Sequence, residues 1–300
     1  MPPRREAVRL RDFFRTRNAA MRNVLETVEK VLDHDVSILI LGESGVGKDH
    51  LAEAVHACSS RRAEPFVHIE CASIPADLFE SELFGHERGT FTDAHARKLG
   101  KLEAAGRGTV YFDEISALTP QLQAKLLRAI EEKRFTRLGG GAVVPFEARV
   151  ISSTTADPRQ SLRRDLYYRV NVVTLTLPPL RERAEDVLPL AKQFLERKRL
   201  DADAERLLVS YAWPGNIREL RNAIERAVLL ADGDTITPAS LPLGDLVATA
   251  ARGAWTLDQL ESHYIAEVLR QTRNNYSRAA EVLGINRKTL LEKRKKYGLE

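Results

Sequence analysis

Two stretches of the chain hold residue types whose spacing could do chemistry on a phosphate. In the first, Gly42, Glu43, Ser44, Gly45, Val46, Gly47 and Lys48 follow an apolar run over residues 36–41. Glycines let backbone N–H groups turn inward around an anion, the lysine reaches the β/γ-phosphates, and a helix starting there aims its positive dipole end at the same point. In the second, an apolar run over residues 109–112 ends in Asp113 and Glu114. At such a strand tip Asp113 can hold the water shell of Mg2+, and Glu114 can polarise an attacking water. A Gly-rich turn or an acidic strand end occurs by chance in many proteins. Together, with room between them for βα units, the two stretches specify a site that hydrolyses a nucleoside triphosphate, ATP or GTP. The Ser/Thr that usually follows the lysine as a Mg2+ ligand is here Asp49, a second candidate for the metal.

The elements that must position these residues are legible as alternating patterns. Helices are expected over residues 19–32, 48–58 and 120–132, and strands over 37–41, 65–69, 109–112 and 149–153. That order predicts a parallel sheet with helices on both faces. From residue 181 the pattern becomes all-helical (184–198, 203–211 and 217–230), which predicts a helical subdomain. Residues 243–253 are small and weakly patterned, a linker, and residues 255–300 are helical again with a break at Gly284.

Composition narrows the class. The 300 residues are 43% hydrophobic and 29% charged with net charge +4, ordinary for a globular protein of about two domains. The basic excess is local: eight Lys/Arg against three Glu lie between Arg273 and Glu300. Cys58 and Cys71 form no CxxC pair, which argues against a zinc site or disulfide framework and for two buried thiols in a reducing compartment. The basic N-terminus lacks the apolar core of a signal peptide, and no apolar run approaches the ~20 residues of a membrane span. A cytoplasmic protein without a membrane partner is expected.

The segments GESGVGKD, ESELFGHERGTFTDA, KLEAAGRGTVYFDEI, LRRDLYYRVNVVTLTLPPLRER and WPGNIRELRNAIERA resemble, in order, those of the AAA+ domain of bacterial enhancer-binding proteins, the activators of sigma-54 RNA polymerase. The segment NNYSRAAEVLGINRKTLLEKRKKYGL is similar to the Fis-type helix-turn-helix that ends these proteins. The resemblance implies an N-terminal extension (1–20), an α/β P-loop AAA+ subdomain (21–177), a helical lid (178–242), a linker (243–254) and an all-α helix-turn-helix domain (255–300). It implies ATP as the nucleotide and Mg2+ as its metal, and it places Glu where this chain has Asp49, so that Asp49 becomes a conservative variant. It further implies that Thr154 senses the γ-phosphate, that Arg163 and Arg169 reach a neighbouring subunit's nucleotide, and that Arg218 is a second sensor on the lid. Arginines so presented stabilise charge on the transferring phosphoryl group and make hydrolysis depend on assembly, from dimer to hexamer.

Three segments depart from the family pattern. The sigma-54 contact loop GAFTGA appears as Gly89, Thr90, Phe91, Thr92, Asp93 and Ala94, with a carboxylate where a glycine's backbone freedom is usual. Glu70 stands where an Asn would hydrogen-bond the catalytic glutamate, and a carboxylate opposite Glu114 is expected to repel it. Thr155 replaces an Asn beside Thr154, removing an amide near the γ-phosphate.

At the C-terminus, helices over residues 277–283 and 286–297 flank Gly284 with helix-turn-helix spacing. Asn286 can cap the second helix, which sets Arg287, Lys288 and Thr289 where base edges would be met, while Lys293 and Arg294, with Lys295 and Lys296, suit phosphates. A helix over residues 257–270 would dimerise the module, so an upstream palindromic site in double-stranded DNA is expected. No receiver or ligand-sensing domain fits before Met21, so control is expected from a regulatory protein in trans or from expression level. The reading is an ATP-hydrolysing, DNA-binding regulator that opens promoters with the sigma-54 holoenzyme. The alternatives are a regulator of the same lineage that acts without sigma-54, and an AAA+ remodeller outside transcription.

Overall fold

The computed structural model describes residues 9–90, 96–231 and 233–241 and, from 261 to 297, all but 263, 267, 270, 271, 273 and 274. The chain forms two compact units, Met1–Leu241 and Pro242–Glu300. The expected linker over 243–254 and the loop residues Phe91 to Ala94 lie outside the described residues, as do the N-terminal eight.

The first unit is built on five parallel strands: β1 (Ile38–Leu41), β2 (Phe66–Glu70), β3 (Thr109–Asp113), β4 (Arg149–Thr154) and β5 (Val173–Thr176). Their spatial order is β2-β3-β4-β1-β5. Ile38, Leu39 and Ile40 are fully buried in succession, as a strand covered on both faces requires. Successive side chains therefore feed two different cores. Val110, Phe112 and Val150 pack on one face with Phe79, Leu126 and Leu166. Tyr111 and Ile151 pack on the other with Met21, Leu51 and Leu175.

Helices α1 (Ala19–Val31), α2 (Lys48–Cys58), α3 (Ala76–Phe84), α4 (Pro120–Glu132) and α5 (Arg164–Val170) cover the sheet. Their starts follow from local chemistry. Asn18 accepts from Met21 N at 3.0 Å to cap α1, and Thr119 followed by Pro120 caps α4. The far end of α1 is held by Arg149, whose buried guanidinium donates to the carbonyls of Val31, Leu32 and Val36.

The lid consists of α6 (Ala184–Phe194), α7 (Ala202–Ser210) and α8 (Asn216–Leu230), closed around Val187, Leu208, Trp213 and Ile224. The first of these helices is shorter than the expected 184–198. It stops at Phe194 because Glu196 takes a left-handed φ of +52°, and the chain then forms a short parallel ladder of Arg199–Leu200 with Thr235–Ile236. Two antiparallel pairs were also unmarked in the sequence: Gly85–His86 with Lys98–Leu99, and Arg134–Thr136 with Val143–Pro145.

The second unit holds α9 (Tyr276–Val282) and α10 (Arg287–Tyr297) around a small core of Ile265, Val268, Leu269, Ala279, Ala280 and Leu290.

Candidate functional site

The C-terminal ends of β1, β3 and β4 meet at one edge of the sheet, with Leu41 paired to Thr154 and Phe112 paired to Ser152. Ligands of open parallel sheets bind outside these ends. From β1 the chain enters the Gly42 to Lys48 loop, and Gly47, at φ +99°, begins α2. Buried Lys48 donates from Nζ to the carbonyls of Gly42 at 3.0 Å and Glu43 at 3.2 Å. Burial lowers its pKa, opposed by the charges of Glu114, Asp113 and Asp49. Lys48 thus lies within electrostatic reach of all three carboxylates.

The two carboxylates of the β3 tip are held differently. Asp113 Oδ1 accepts from Tyr111 OH at 3.0 Å and Ser153 Oγ at 2.6 Å. Burial pushes the Tyr111 phenol well above its usual value, so it stays a donor. Glu114 leaves the strand in the left-handed region, φ +53°, and its carboxylate turns to the end of β4. There it accepts from Ser116 Oγ at 2.5 Å, Thr154 Oγ1 at 2.9 Å, and Thr155 N at 3.0 and 3.1 Å and Oγ1 at 3.1 Å. Burial alone would raise its pKa, but these hydrogen bonds hold the carboxyl below its ordinary value.

Two expectations need correction at this point. Glu70 pairs in register with Asp113, yet its carboxylate accepts from Ser73 Oγ at 2.8 Å rather than facing Glu114, so the anticipated repulsion has no geometric basis. Thr155 does more than remove an amide, because it supplies both a backbone and a hydroxyl donor to Glu114.

The lid closes on the loop from the other side. Arg218 donates from Nη1 to Ser44 Oγ at 2.8 Å, and the N–H groups of Ile217 and Arg218 reach Gly45 O. A cavity of about 410 Å³ lies between loop, lid and the segment before α1, lined by Phe13, Gly47, His50, Phe194 and Arg218 among others. Its size is that of a small-molecule pocket. Phe13, His50 and Phe194 escaped the sequence reading, since each looks like an ordinary core or surface residue until the fold gathers them.

Arg163 precedes α5 and Arg169 lies in its last turn, both exposed and outside this cavity's lining. Arg163 pairs with Asp165, and Arg169 donates to Ile130 O at 3.2 Å. Of the expected contact loop, Gly89 has φ +82°, and Thr90 Oγ1 lies within hydrogen-bond distance of the Glu87 and Leu138 carbonyls. The base of that loop is clamped by Arg137, which donates to Glu87 and, through two nitrogens, to Glu103.

In the second unit Asn286 Oδ1 accepts from Thr289 N at 2.8 Å, the predicted cap. Arg287 and Lys288 are exposed in the first turn of α10. Lys293 and Arg294 are half-buried and engaged within the module: Lys293 Nζ bonds Glu261 at 2.6 Å, and Arg294 stacks over Tyr276. Their expected role at phosphates conflicts with these contacts.

Family models cover most of the chain. Residues 14–176 match the Sigma-54 interaction domain, 181–253 the AAA+ ATPase lid domain, and 256–297 the Fis family of bacterial regulatory proteins. The chain belongs to the sigma-54 activator family. This activator is 42% identical to the transcriptional regulatory protein FlbD of Caulobacter vibrioides, over 94% of its own length and 69% of that protein. It is 44% identical to ZraR of Klebsiella oxytoca, over 91% of its own length and 66% of that protein. It thus spans about two thirds of the length of these curated relatives. Crystal structures of NtrX from Brucella abortus superpose with a TM-score of 0.71 at 34% identity, covering 97% of the activator and 70% of that chain. NtrX in complex with ATP matches with a TM-score of 0.70 at 33% identity, covering 95% and 69%. The activator is therefore an AAA+ ATPase joined to a DNA-binding helix-turn-helix module, a regulator of transcription with a sigma-54 interaction domain. No described helix is long and apolar enough to cross a membrane.

Proposed function

We propose that the chain binds ATP at the β1–α2 loop, assembles into a ring, and uses hydrolysis to remodel the sigma-54 polymerase closed complex at promoters whose upstream DNA its helix-turn-helix holds. The observation that carries this reading is the convergence of Lys48, Asp113, Glu114 and Thr154 on one sheet edge beneath the lid residue Arg218. In this reading Gly42, Gly45 and Gly47 present N–H groups to the phosphates, Lys48 neutralises β/γ charge, and Glu114 orients the water.

The donor set suits Mg2+, which prefers oxygen ligands and keeps several waters while sharing the substrate's phosphates. Asp113 retains acceptor capacity beyond the Tyr111 and Ser153 bonds, and Asp49 stands in the first turn of α2. When bound, the ion would offset charge developing on the phosphates.

Exposed Arg163 and Arg169 serve a neighbouring subunit rather than their own site, which makes hydrolysis assembly-dependent. The test is ATPase specific activity against protein concentration, with wild type and Arg169→Ala mixed in varying ratio. A rise with concentration and a disproportionate loss on mixing are expected; concentration-independent hydrolysis would contradict the ring. The cytoplasm is the compartment this function needs, and a regulatory protein in trans is the proposed source of control. A second reading, a regulator of the same lineage acting without sigma-54, is favoured by one observation, Asp93 in the loop Gly89 to Ala94.

A further inference from the structure

Gln123 is a buried amide on α4, 2% exposed. Its Nε2 donates to Leu118 O at 2.9 Å and to Ser161 O at 3.2 Å, and its Oε1 accepts from Arg163 N at 2.8 Å. A primary amide has two N–H donors and one carbonyl oxygen, so every part of this one is engaged. The partners also fix its orientation, because a flipped amide or a carboxylate would set oxygen against the two carbonyls.

These bonds bracket the turn between the one-turn helix Pro158–Ser161 and α5. The first N–H groups of a helix have no partner within it, and Arg163, the residue that precedes α5, brings no side-chain cap. Gln123 supplies the partner from another element. The Arg163 side chain follows its backbone, since its Nε and Nη2 bond Asp165 at 3.1 and 2.8 Å in the same turn. Two turns further along α4, on the same face, Ile130 O accepts from Arg169 at 3.2 Å. One buried helix is thus bonded at both ends of the element that carries the two exposed arginines.

We propose that Gln123 is a positioning residue for hydrolysis in a neighbouring subunit: it fixes the backbone of Arg163 so that the guanidinium meets the terminal phosphate held there. This deepens the assembly-dependent reading above and rests on it. The effect is one-sided. A subunit needs Gln123 when it presents Arg163 but not when it binds ATP, because the bonds of the amide end at Leu118, Ser161 and Arg163.

The test mixes two full-length chains that are each inactive. The presenting chain carries Glu114→Gln, and the accepting chain carries Arg163→Ala with Arg169→Ala. Mixed, they hydrolyse ATP only where a presenting chain faces an accepting one. Gln123→Met, similar in volume but without the bonds, is then added to one chain or the other. In the presenting chain it is expected to lower the complemented kcat about tenfold or more with KM for ATP unchanged, and in the accepting chain to change it by less than about twofold, as befits a misplaced group on one side only. A purely structural amide would lower both alike. An equal fall, or no fall from the presenting chain, overturns the proposal.

Amide hydrogen exchange in the unsubstituted protein is the second readout, and it needs no variant to fold. Arg163 N–H should be protected although it stands at an exposed helix start, and rapid exchange there would also overturn the proposal. If the two inactive chains without Gln123→Met fail to complement, the assembly reading fails, while exchange at Arg163 still decides whether Gln123 holds that backbone.

Discussion

Arg181 and Glu43 form a two-bond pair, Nη2 to Oε1 at 2.7 Å and Nη1 to Oε2 at 2.8 Å, that ties the phosphate-binding loop to the segment leading into the lid. Asn216 completes the tie. Fully buried at φ +54°, it donates to Glu43 Oε2 and Ser44 O and accepts from Leu180 N. The first turn of α8 is thereby built against the Gly42 to Lys48 loop, so lid and loop are linked through direct bonds.

Asn216→Ala removes that link, strands the buried Leu180 N–H and leaves alanine in a left-handed conformation. A loss of about 2–4 kcal/mol is expected from these two causes together. Urea unfolding measures it, and a cost under about 0.5 kcal/mol, the level of an ordinary surface change, would show that the contact is idle.

Gly45→Ala acts at the same junction. A Cβ there would sit 2.4 Å from Gly215 O, on a backbone with φ +74°. The lid must withdraw from the loop, so ADP should no longer raise the melting temperature. In wild type, ligand at about 100 times Kd contributes roughly 2.7 kcal/mol. An undiminished shift in Gly45→Ala would place nucleotide binding elsewhere.

The pH dependence follows from Glu114. Hydrogen bonds hold its folded pKa below the ordinary carboxylate value, so the unfolded chain binds its proton first as pH falls. Its contribution to stability is complete above the unfolded pKa of about 4.3 and is lost as pH drops through the lower folded value. Thr154→Val, which deletes one donor, should shrink that acid-dependent loss; unfolding curves between about pH 3 and 6 read it. Curves that superpose on wild type would mean that the Thr154 hydroxyl does not stabilise the charged form.

In the DNA-binding module, sequence and structure divide the basic residues differently. Arg287→Ala and Lys288→Ala should weaken DNA binding, by about 1–3 kcal/mol where a base edge is read, or by a drop of ~1 in the salt slope where a phosphate is bound. Lys293→Ala, which breaks the bond to Glu261, should lower the stability of the module and leave the salt slope unchanged. Titrations at several salt concentrations separate these outcomes, and a reduced slope for Lys293→Ala would assign it to phosphate after all.

The parallel sheet and the loop at its edge were legible because their signals are local. The apolar run at residues 38–40 and the glycine spacing up to Lys48 each determine their own conformation. The Asn286 cap was legible for the same reason. The short pairs such as Arg199–Leu200 with Thr235–Ile236 were not, since two-residue ladders depend on a partner 36 residues away. The placement of Glu114 was misread because a lone position on β2 was used to infer its surroundings. Its left-handed backbone turns the carboxylate away from β2 to β4, and no pattern in the residues around it marks that turn. Lys293 and Arg294 looked like phosphate ligands because charge alone does not reveal which helix face meets Glu261 and Tyr276.

ATP-driven opening of sigma-54 promoters is read out by open-complex formation by the purified protein with sigma-54 holoenzyme on a supercoiled sigma-54 promoter, with ATP or a non-hydrolysable analogue, alongside Asp93→Gly. Open complexes are expected with wild type and ATP, and none with the analogue. If wild type hydrolyses ATP but opens no promoter, while Asp93→Gly does, the loop variant has lost sigma-54 engagement and the sigma-54-independent regulator is the better account.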